Sequence, residues 1–359
     1  MKKLKVGLIG SQFISHIHAL SLKRCPEAEL FAVASPTPGN AEKFAGKNGI
    51  PHHFTDYKKL LAMPELDMIV VGVPNDLHCQ VALDAAAAGK HIVMEKPLCL
   101  NLAEADNMIE ACRKANVKLM YAEELCFTPK YVRLKKLLDS GALGEPTLIK
   151  QSEKHDGPHA PHFWDVNRSG GGVTMDMGCH AIEFLRWMLG RPPIKSVYAH
   201  MSTQVHKEKT KGEDNALLIL EFANGAIGLA EESWTKPGGM DDRAEVYGSK
   251  GVAYADLLHG NSIQTYSAAG YDYAVEKAGS TKGWSFTIYE EEWNYGFPQE
   301  MAHFVDCALN DKQPLVTGED GRAVLEVIFA AYESARTGAK VQLPFKTSAL
   351  KPFDLWKPK

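Results

Sequence analysis

The chain has 359 residues, 45% of them apolar, and a formal charge of -4 from 40 Lys and Arg against 44 Asp and Glu. That is enough apolar material for two domains with cores of their own. The near balance of charge provides no basic stripe for nucleic acid and no polybasic patch for a membrane surface, so small molecules are the expected partners.

Seven cysteines lie scattered at 25, 79, 99, 112, 126, 179 and 307 without C-x-x-C spacing. They argue against a disulfide scaffold and suit a reducing, cytoplasmic compartment. Behind Met1-Lys2-Lys3 the apolar run extends only from Val6 to Ile9, and no stretch approaches the roughly 18 apolar residues of a membrane span.

Residues 1–125 alternate short apolar runs with helical patterns. Strands are expected at Leu4 to Ile9, Glu29 to Ala34, Asp67 to Val73, His91 to Met94 and Lys118 to Ala122, and helices near 13–24, 39–48, 76–89 and 102–115. This is the pattern of an α/β Rossmann domain, a doubly wound parallel sheet whose ligands bind at the carboxyl ends of the strands. The first turn reads Gly7-Leu8-Ile9-Gly10-Ser11-Gln12-Phe13-Ile14-Ser15. Against G-x-G-x-x-G, Gly10 takes the first position, Gln12 replaces the second glycine and Ser15 the third, a weak match by itself. Gln12 either crowds a pyrophosphate or turns aside and donates its amide to it; the plain alternative is a helix start that binds nothing. Gly10, Gln12, Phe13 and Ile14 are therefore cofactor candidates at a helix N-terminus.

The second strand ends at Ala34-Ser35, without the carboxylate that would hold the ribose hydroxyls of NAD. Ser35, Thr37, Asn40 and Lys43 offer donors and a positive charge instead, which tilts the expected cofactor, NAD(P), slightly toward NADP. At the carboxyl ends of later strands stand Pro74, Asn75 and His78, then Glu95-Lys96-Pro97, then Glu123 and Glu124. A lysine before proline is often only a solvated charge. Glu124 is a candidate contact for substrate hydroxyls, with a capping or salt-bridging role as the alternative.

From 126 to 345, period-2 runs dominate (Ser196 to Thr203, Ala216 to Phe222, Ala226 to Ser233, Ala244 to Tyr247), with Asn224-Gly225 as a hairpin turn. They predict an α+β domain with an open, mainly antiparallel sheet. Helices are expected near 174–189, 298–309 and 319–335; the sequence leaves open whether the second belongs with the first domain or braces the sheet. The tail, 346–359, is rich in Lys and Pro around Trp356 and is expected to cross a surface.

Asp176 and His180 are spaced i and i+4, which on one helix places both on one face. His155, His159 and His162 have a spacing that brings metal to mind, but Pro and Gly make their segment a loop with no helical face to align ligands. Contacts from His155 and His159 to substrate hydroxyls are the preferred reading, with no metal site. Trp164, Trp234, Trp284 and Trp293 are core residues by default, one or two of them candidates to stack on a substrate ring. Arg243 is a further substrate candidate.

Three strings then stand together: Val73-Pro74-Asn75-Asp76-Leu77-His78, Ala88-Gly89-Lys90-His91-Ile92-Val93-Met94-Glu95-Lys96-Pro97, and Gly170-Gly171-Gly172-Val173-Thr174-Met175-Asp176-Met177-Gly178-Cys179-His180. In this order the chain resembles the Gfo/Idh/MocA oxidoreductases from about residue 4 to about 345, more weakly over 257–295. The resemblance implies Lys96 beside the nicotinamide and the reacting hydroxyl, His180 as proton acceptor, and Asp176 orienting substrate or histidine. It also implies Pro74, Asn75, His78 and Glu95 lining the cofactor cleft, and a homodimer or homotetramer formed through the second sheet. The chemistry agrees, because an imidazole titrating near neutrality suits proton removal and an ammonium steadies a developing alkoxide.

The expected activity is NAD(P)-dependent oxidation of a secondary hydroxyl of a sugar, glycoside or cyclitol, or reduction of the matching ketone. One alternative is a glycosidase or glycoside 3-oxidation enzyme, in which transient oxidation acidifies a neighbouring C–H and permits elimination. The other is a non-catalytic nucleotide- or sugar-binding sensor of the same fold.

Overall fold

A computed structural model of the chain describes residues 3–259, 263–269, 280, 282–287 and 291–356. In chain order the first elements are β1 Leu4–Ile9, α1 Phe13–Lys23, β2 Ala28–Ala34, α2 Asn40–Asn48, β3 His52–Phe54, α3 Tyr57–Leu61, β4 Met68–Val71, α4 His78–Ala87, β5 His91–Met94, α5 Leu102–Ala115 and β6 Leu119–Tyr121. There follow α6 Pro129–Asp139, β7 Pro146–Lys154, α7 Val166–Ser169, α8 Val173–Asp176, α9 Gly178–Met188, β8 Ile194–Ser202, β9 Asn215–Phe222, β10 Ile227–Ser233, β11 Asp241–Gly248 and β12 Gly251–Asp256. The last are β13 Ile263–Ser267, β14 Gly283–Thr287, α10 Glu291–Tyr295, α11 Phe297–Leu309, α12 Gly318–Thr337 and β15 Val341–Gln342. The side chain of Trp284 lies outside the described residues, as do residues 357–359 of the tail.

The chain forms two compact units, one of residues 1–127 and 296–325, the other of residues 128–295 and 326–359. The first contains a six-stranded sheet ordered β3-β2-β1-β4-β5-β6, all parallel. Met68, Ile69, Val70 and Val71 are all buried, the continuous apolar run that a parallel strand covered on both faces requires. The strand order reverses between β1 and β4, and there Gly10 N–H donates to Ala34 O at 2.9 Å while Gly72 N–H donates to Ile9 O at 2.8 Å. In open α/β sheets that switch point is where ligands bind. Helix α11, undecided in the sequence, lies in this unit and packs on α1.

The second unit contains a seven-stranded sheet ordered β12-β11-β7-β10-β9-β8-β15. It is antiparallel apart from the parallel pair β7 and β10. Along β9, Ala216, Leu218 and Leu220 are buried while Leu217 and Ile219 are exposed, the alternation of a strand with one covered face. Helix α9 covers that face against β7 and β10.

The structure departs from the sequence expectations at two places here. The helix expected over 174–189 is two, broken at Met177 (φ -113°, ψ -33°), so Asp176 closes α8 while His180 is the third residue of α9. The tail is not merely laid on a surface: Trp356 is 5% exposed, set edge-on to Tyr332 at 6.3 Å between ring centroids, and Phe353 N–H donates to Gly170 O at 3.0 Å. An indole of that size buries more apolar area than the neighbouring lysines can keep wet.

Truncating a buried Trp removes transfer energy and leaves a cavity, about 3–5 kcal/mol in typical cores. Trp356→Ala should therefore lower the unfolding free energy measured by urea titration by an amount of that order. A change under about 0.5 kcal/mol, the size of an ordinary surface substitution, would show the tail to be only draped.

Candidate active site

The turn after β1 is built for close backbone approach. Gly10 has φ +124°, and a Cβ on it would stand 2.2 Å from Gly72 O and 2.9 Å from Ser15 Oγ; Ser15 thus fills the space of the third glycine. Gln12 is exposed at the N-cap of α1 and makes no side-chain cap, so the helix's first N–H groups are not masked by it. Phe13 is 46% exposed at the first helical position, and Ile14 lies where a Cβ on Gly72 would meet it at 2.9 Å. These residues fit a dinucleotide pyrophosphate at a helix N-terminus. At the end of β2, Ser35 is buried and accepts from Ser11 Oγ at 2.9 Å, whereas Thr37 and Lys43 are exposed.

The loop after β5 that carries Lys96 is braced from both sides. Glu95 is held by His18 Nε2 at 2.6 Å through one oxygen, and its other oxygen accepts from Lys96 N–H at 3.1 Å. Burial alone would raise the Glu95 pKa, but the hydrogen bond and charge of His18, with Lys96 beside it, outweigh burial and hold it below its ordinary value. The structure puts His78 to a use other than lining a cleft. Its ring is fully enclosed, with Nδ1 3.0 Å from Pro97 O and Nε2 2.9 Å from Val73 O. Burial lowers its pKa despite those carbonyls, and a neutral ring donates through one nitrogen only. His78 is a strut behind Lys96. Asn75 is buried and Pro74 half-buried in the turn before α4.

Carboxylates crowd this end of the first unit. Glu123, fully buried after β6, has its pKa pushed up to about 8 by burial, with Lys96 drawing it down and Glu95 adding to the rise. Glu124 is half-buried. Glu300 on α11 is fully buried, and neither carboxylate oxygen has a hydrogen-bond partner among the described residues. Burial, then the charges of Glu124, Glu95 and Glu123, raise its pKa. The sequence reading missed Glu300 and His18. Glu300 was findable, because it sits with Phe297, Met301 and Phe304 on the apolar stripe of α11.

In the second unit Glu213 organises the glycine-rich loop. Its carboxylate accepts from Gly172 N–H at 3.2 Å, Thr174 N–H at 2.9 Å and Tyr332 Oη at 2.7 Å. A Cβ on Gly172 would stand 2.0 Å from Glu213 O, so only glycine allows this approach. The loop delivers Asp176, 3% exposed, whose Oδ2 accepts from Trp234 Nε1 at 3.1 Å. His180 is 2% exposed, one turn on.

Around Trp234 the structure gathers several of the expected residues. Trp164 lies edge-on to Trp234 at 5.3 Å and to His206 at 5.0 Å. Gly157, whose carbonyl meets His155 Nδ1 at 2.7 Å, backs onto the Trp164 ring, and His155 faces His159 at 4.7 Å. His162 is turned onto Phe163 at 4.5 Å instead.

Arg243 does not join them. It is 52% exposed and paired with Asp241 at 2.9 Å, because alternation along β11 sends it to the uncovered face and its neighbour Asp242 to the covered one. There Asp242 and Glu232 both stand opposite Glu153 on β7, one from each flanking strand. Burial pushes Asp242 up to about 7, and raises Glu232 with Asp242 adding to it.

A Rossmann unit with a phosphate-ready turn and a second sheet unit bearing a Gly-Gly-Gly…Asp…His loop define a two-domain oxidoreductase. Residues 4–123 match the family described as "Oxidoreductase family, NAD-binding Rossmann fold" and residues 135–343 match "Oxidoreductase family, C-terminal alpha/beta domain". The chain belongs to this family, the Gfo/Idh/MocA oxidoreductases. It is 31% identical over 350 residues to scyllo-inositol 2-dehydrogenase (NAD(+)) of Bacillus subtilis, covering 96% of this chain and 97% of that one. It is 29% identical over 342 residues to myo-inositol 2-dehydrogenase of Thermotoga maritima, covering 95% and 98%. Among solved structures, GenD2 from gentamicin A biosynthesis in complex with NAD superposes with a TM-score of 0.91 at 31% identity, covering 96% of this chain and 97% of that one.

The raised Glu123 pKa has a consequence for stability. Between its ordinary value of 4.5 and about 8 the folded chain holds a proton that the unfolded chain releases. This contribution is full below the ordinary value and is lost as pH rises through the folded one. Glu123→Gln should flatten the fall in thermal midpoint between about pH 5 and pH 8. An unchanged profile would mean that Glu123 ionises in the fold as it does in water.

Proposed function

We propose that the protein is an NAD-dependent dehydrogenase that oxidises a secondary hydroxyl of a sugar or cyclitol, or reduces the corresponding ketone. The observation that carries this reading is Lys96, pinned by Glu95 and backed by His78 at the carboxyl end of β5 in a unit of the NAD-binding Rossmann family. Relatives aligned over nearly their whole length are named inositol 2-dehydrogenases. The glycosidase and sensor readings have no such support.

In the oxidative direction His180 takes the proton of the hydroxyl. Lys96, as an ammonium, stabilises the oxygen as negative charge develops on it. Asp176, its carboxylate fixed by the Trp234 indole, orients the substrate or the imidazole. Nicotinamide, when bound, supplies the hydride acceptor. The residues gathered near Asp176, namely Trp164, His155 and His159, offer a ring face and imidazole donors to a polyol, and Glu124 is read as a further hydroxyl contact.

The end of β2 has no carboxylate to repel a 2′-phosphate, and Thr37 and Lys43 are exposed beside it; NADP is read as a second usable cofactor. The exposed apolar residues Tyr198, Leu217 and Ile219 on the uncovered sheet face support a homodimer or homotetramer formed there. None of the described helices is long and apolar enough to cross a membrane, and seven cysteines without a disulfide fit the cytoplasm.

Lys96→Met should retain NAD binding by fluorescence titration while cutting kcat by at least about 100-fold, the scale of losing one transition-state donor. Wild-type turnover in that variant, with inositols and hexoses as substrates, would overturn the assigned role.

A further inference from the structure

Helix α1 begins at the turn that fits a dinucleotide pyrophosphate, and one of its residues reaches the loop that carries Lys96. His18 is 0% exposed, and its Nε2 lies 2.6 Å from Glu95 Oε1. Nδ1 has no hydrogen-bond partner among the described residues, and the ring is set edge-on to Phe297 of α11 at 6.1 Å between centroids. Glu95 is therefore the ring's one polar contact. Glu95 is itself tied down elsewhere: its N–H donates to Val71 O at 3.2 Å, at the end of β4, and its Oε2 accepts from Lys96 N–H at 3.1 Å.

We infer that His18 is a positioning residue for the proposed hydride transfer: by donating to Glu95 it holds that carboxylate against the Lys96 backbone, and so sets where the Lys96 ammonium stands. The inference rests on the dehydrogenase reading and adds a residue on which its turnover depends. Two physical effects carry it. The first is geometric, because a carboxylate released at one oxygen can turn away from Lys96 N–H, and a misplacement of about 1 Å at a reacting group can cost 100-fold in rate.

The second effect is charge. Glu95 is 7% exposed, and burial acting alone would favour its proton; the hydrogen bond and charge of His18, then Lys96, reverse this. A neutral carboxyl would hold Lys96 N–H more weakly, since hydrogen bonds to an ionised acceptor are about twice as strong. The other titratable groups that face Glu95 are His78 of α4, Glu123 after β6 and Glu300 of α11, all of which feel its charge. Burial favours the uncharged form of each, with Glu123 at about 8. His18 and Lys96 remain as the groups that stabilise the Glu95 anion.

The test uses the full chain with NAD and with myo-inositol, scyllo-inositol and D-glucose as substrates. It compares wild type with His18→Phe, which keeps a ring and removes the donor, and with His18→Gln, which keeps an amide donor; His18→Leu serves where the larger ring is not accommodated. The readout is the ratio of wild-type to variant kcat from about pH 5 to about pH 9. For His18→Phe it should reach about 10- to 100-fold at the acidic end. It should then fall as pH rises, because without His18 burial raises Glu95 and the carboxylate recovers its charge only in more basic solution. Titrations common to both proteins, such as that of Glu123, divide out. His18→Gln should stay within about threefold of wild type throughout, since it loses only the charged part of the bond. In a Glu95→Gln background, replacing His18 by Phe should give a ratio that does not change with pH.

A constant ratio for His18→Phe, a loss in His18→Gln as large as in His18→Phe, or the same pH-dependent ratio in the Glu95→Gln background would each overturn the inference, leaving His18 a packing residue. Thermal unfolding reads the pair without turnover. A Glu95 held below its ordinary 4.5 stabilises the fold above that pH, whereas a raised Glu95 gives stability that is lost as pH rises. The midpoint deficit of His18→Phe should therefore widen from pH 4.5 toward neutrality, and widen less in the Glu95→Gln background. No hydride transfer by the wild type with any of the three compounds, with this widening present, would remove the dehydrogenase reading but not the hold of His18 on Glu95. Hydride transfer by the wild type, with a constant ratio and no widening, would keep that reading and remove His18 from it.

Discussion

Taking a carboxylate out of water is costly unless hydrogen bonds, a cation or a proton offset the loss. This constraint runs through the whole chain, which buries Glu95, Glu123, Glu153, Glu183, Glu213, Glu232, Asp242 and Glu300. Some are satisfied by the fold. Glu183 is paired with Arg186 and with Arg191, the latter at 2.7 Å, Glu95 with His18, and Glu213 accepts two backbone N–H groups and a phenol. In Glu123, Glu232, Asp242 and Glu300 burial instead favours the proton. Glu95 and Glu213 hold the loops that carry Lys96 and Asp176.

The scaffold carboxylates act on geometry through short chains of contact. Glu213 fixes Gly172 and Thr174, α8 follows at once, and α8 ends on Asp176, which the Trp234 indole receives. The Tyr332 hydroxyl that helps to hold Glu213 belongs to the ring against which Trp356 packs. The tail thus buttresses the same loop, and its burial follows from what it supports. In the first unit the corresponding chain is shorter: His18 to Glu95 to the backbone of Lys96, with His78 behind.

Much of this architecture was legible because water exclusion leaves a periodic trace. The run Met68–Val71 reads as a strand covered on both faces, and the alternation through Ala216–Leu220 reads as one covered on a single face. The Glu-Lys-Pro triplet and the Gly-Gly-Gly…Asp…His string were visible as motifs. Contacts between distant residues were not: His18 and Glu95 are 77 positions apart, and Tyr332 and Glu213 are 119 apart. Nor was the break at Met177, since neither of its neighbours is a proline and the apolar periodicity runs on through it. The expectation for Arg243 rests on residue type at the start of β11, Asp241-Asp242-Arg243, where the apolar residues that mark the phase begin only at Ala244.

That failure of phase has a physical cause. Pattern reading assumes that covered positions are apolar, and it fails where polar groups occupy them, as with Asp242, Glu232 and Glu153 on the sheet and Glu300 on α11. Local rules are broken most often at functional positions, where stability is given up for chemistry. A hydrophobic residue at Glu232 would restore the strand's pattern and remove a buried carboxylate, and replacing buried charge in this way is often neutral or stabilising.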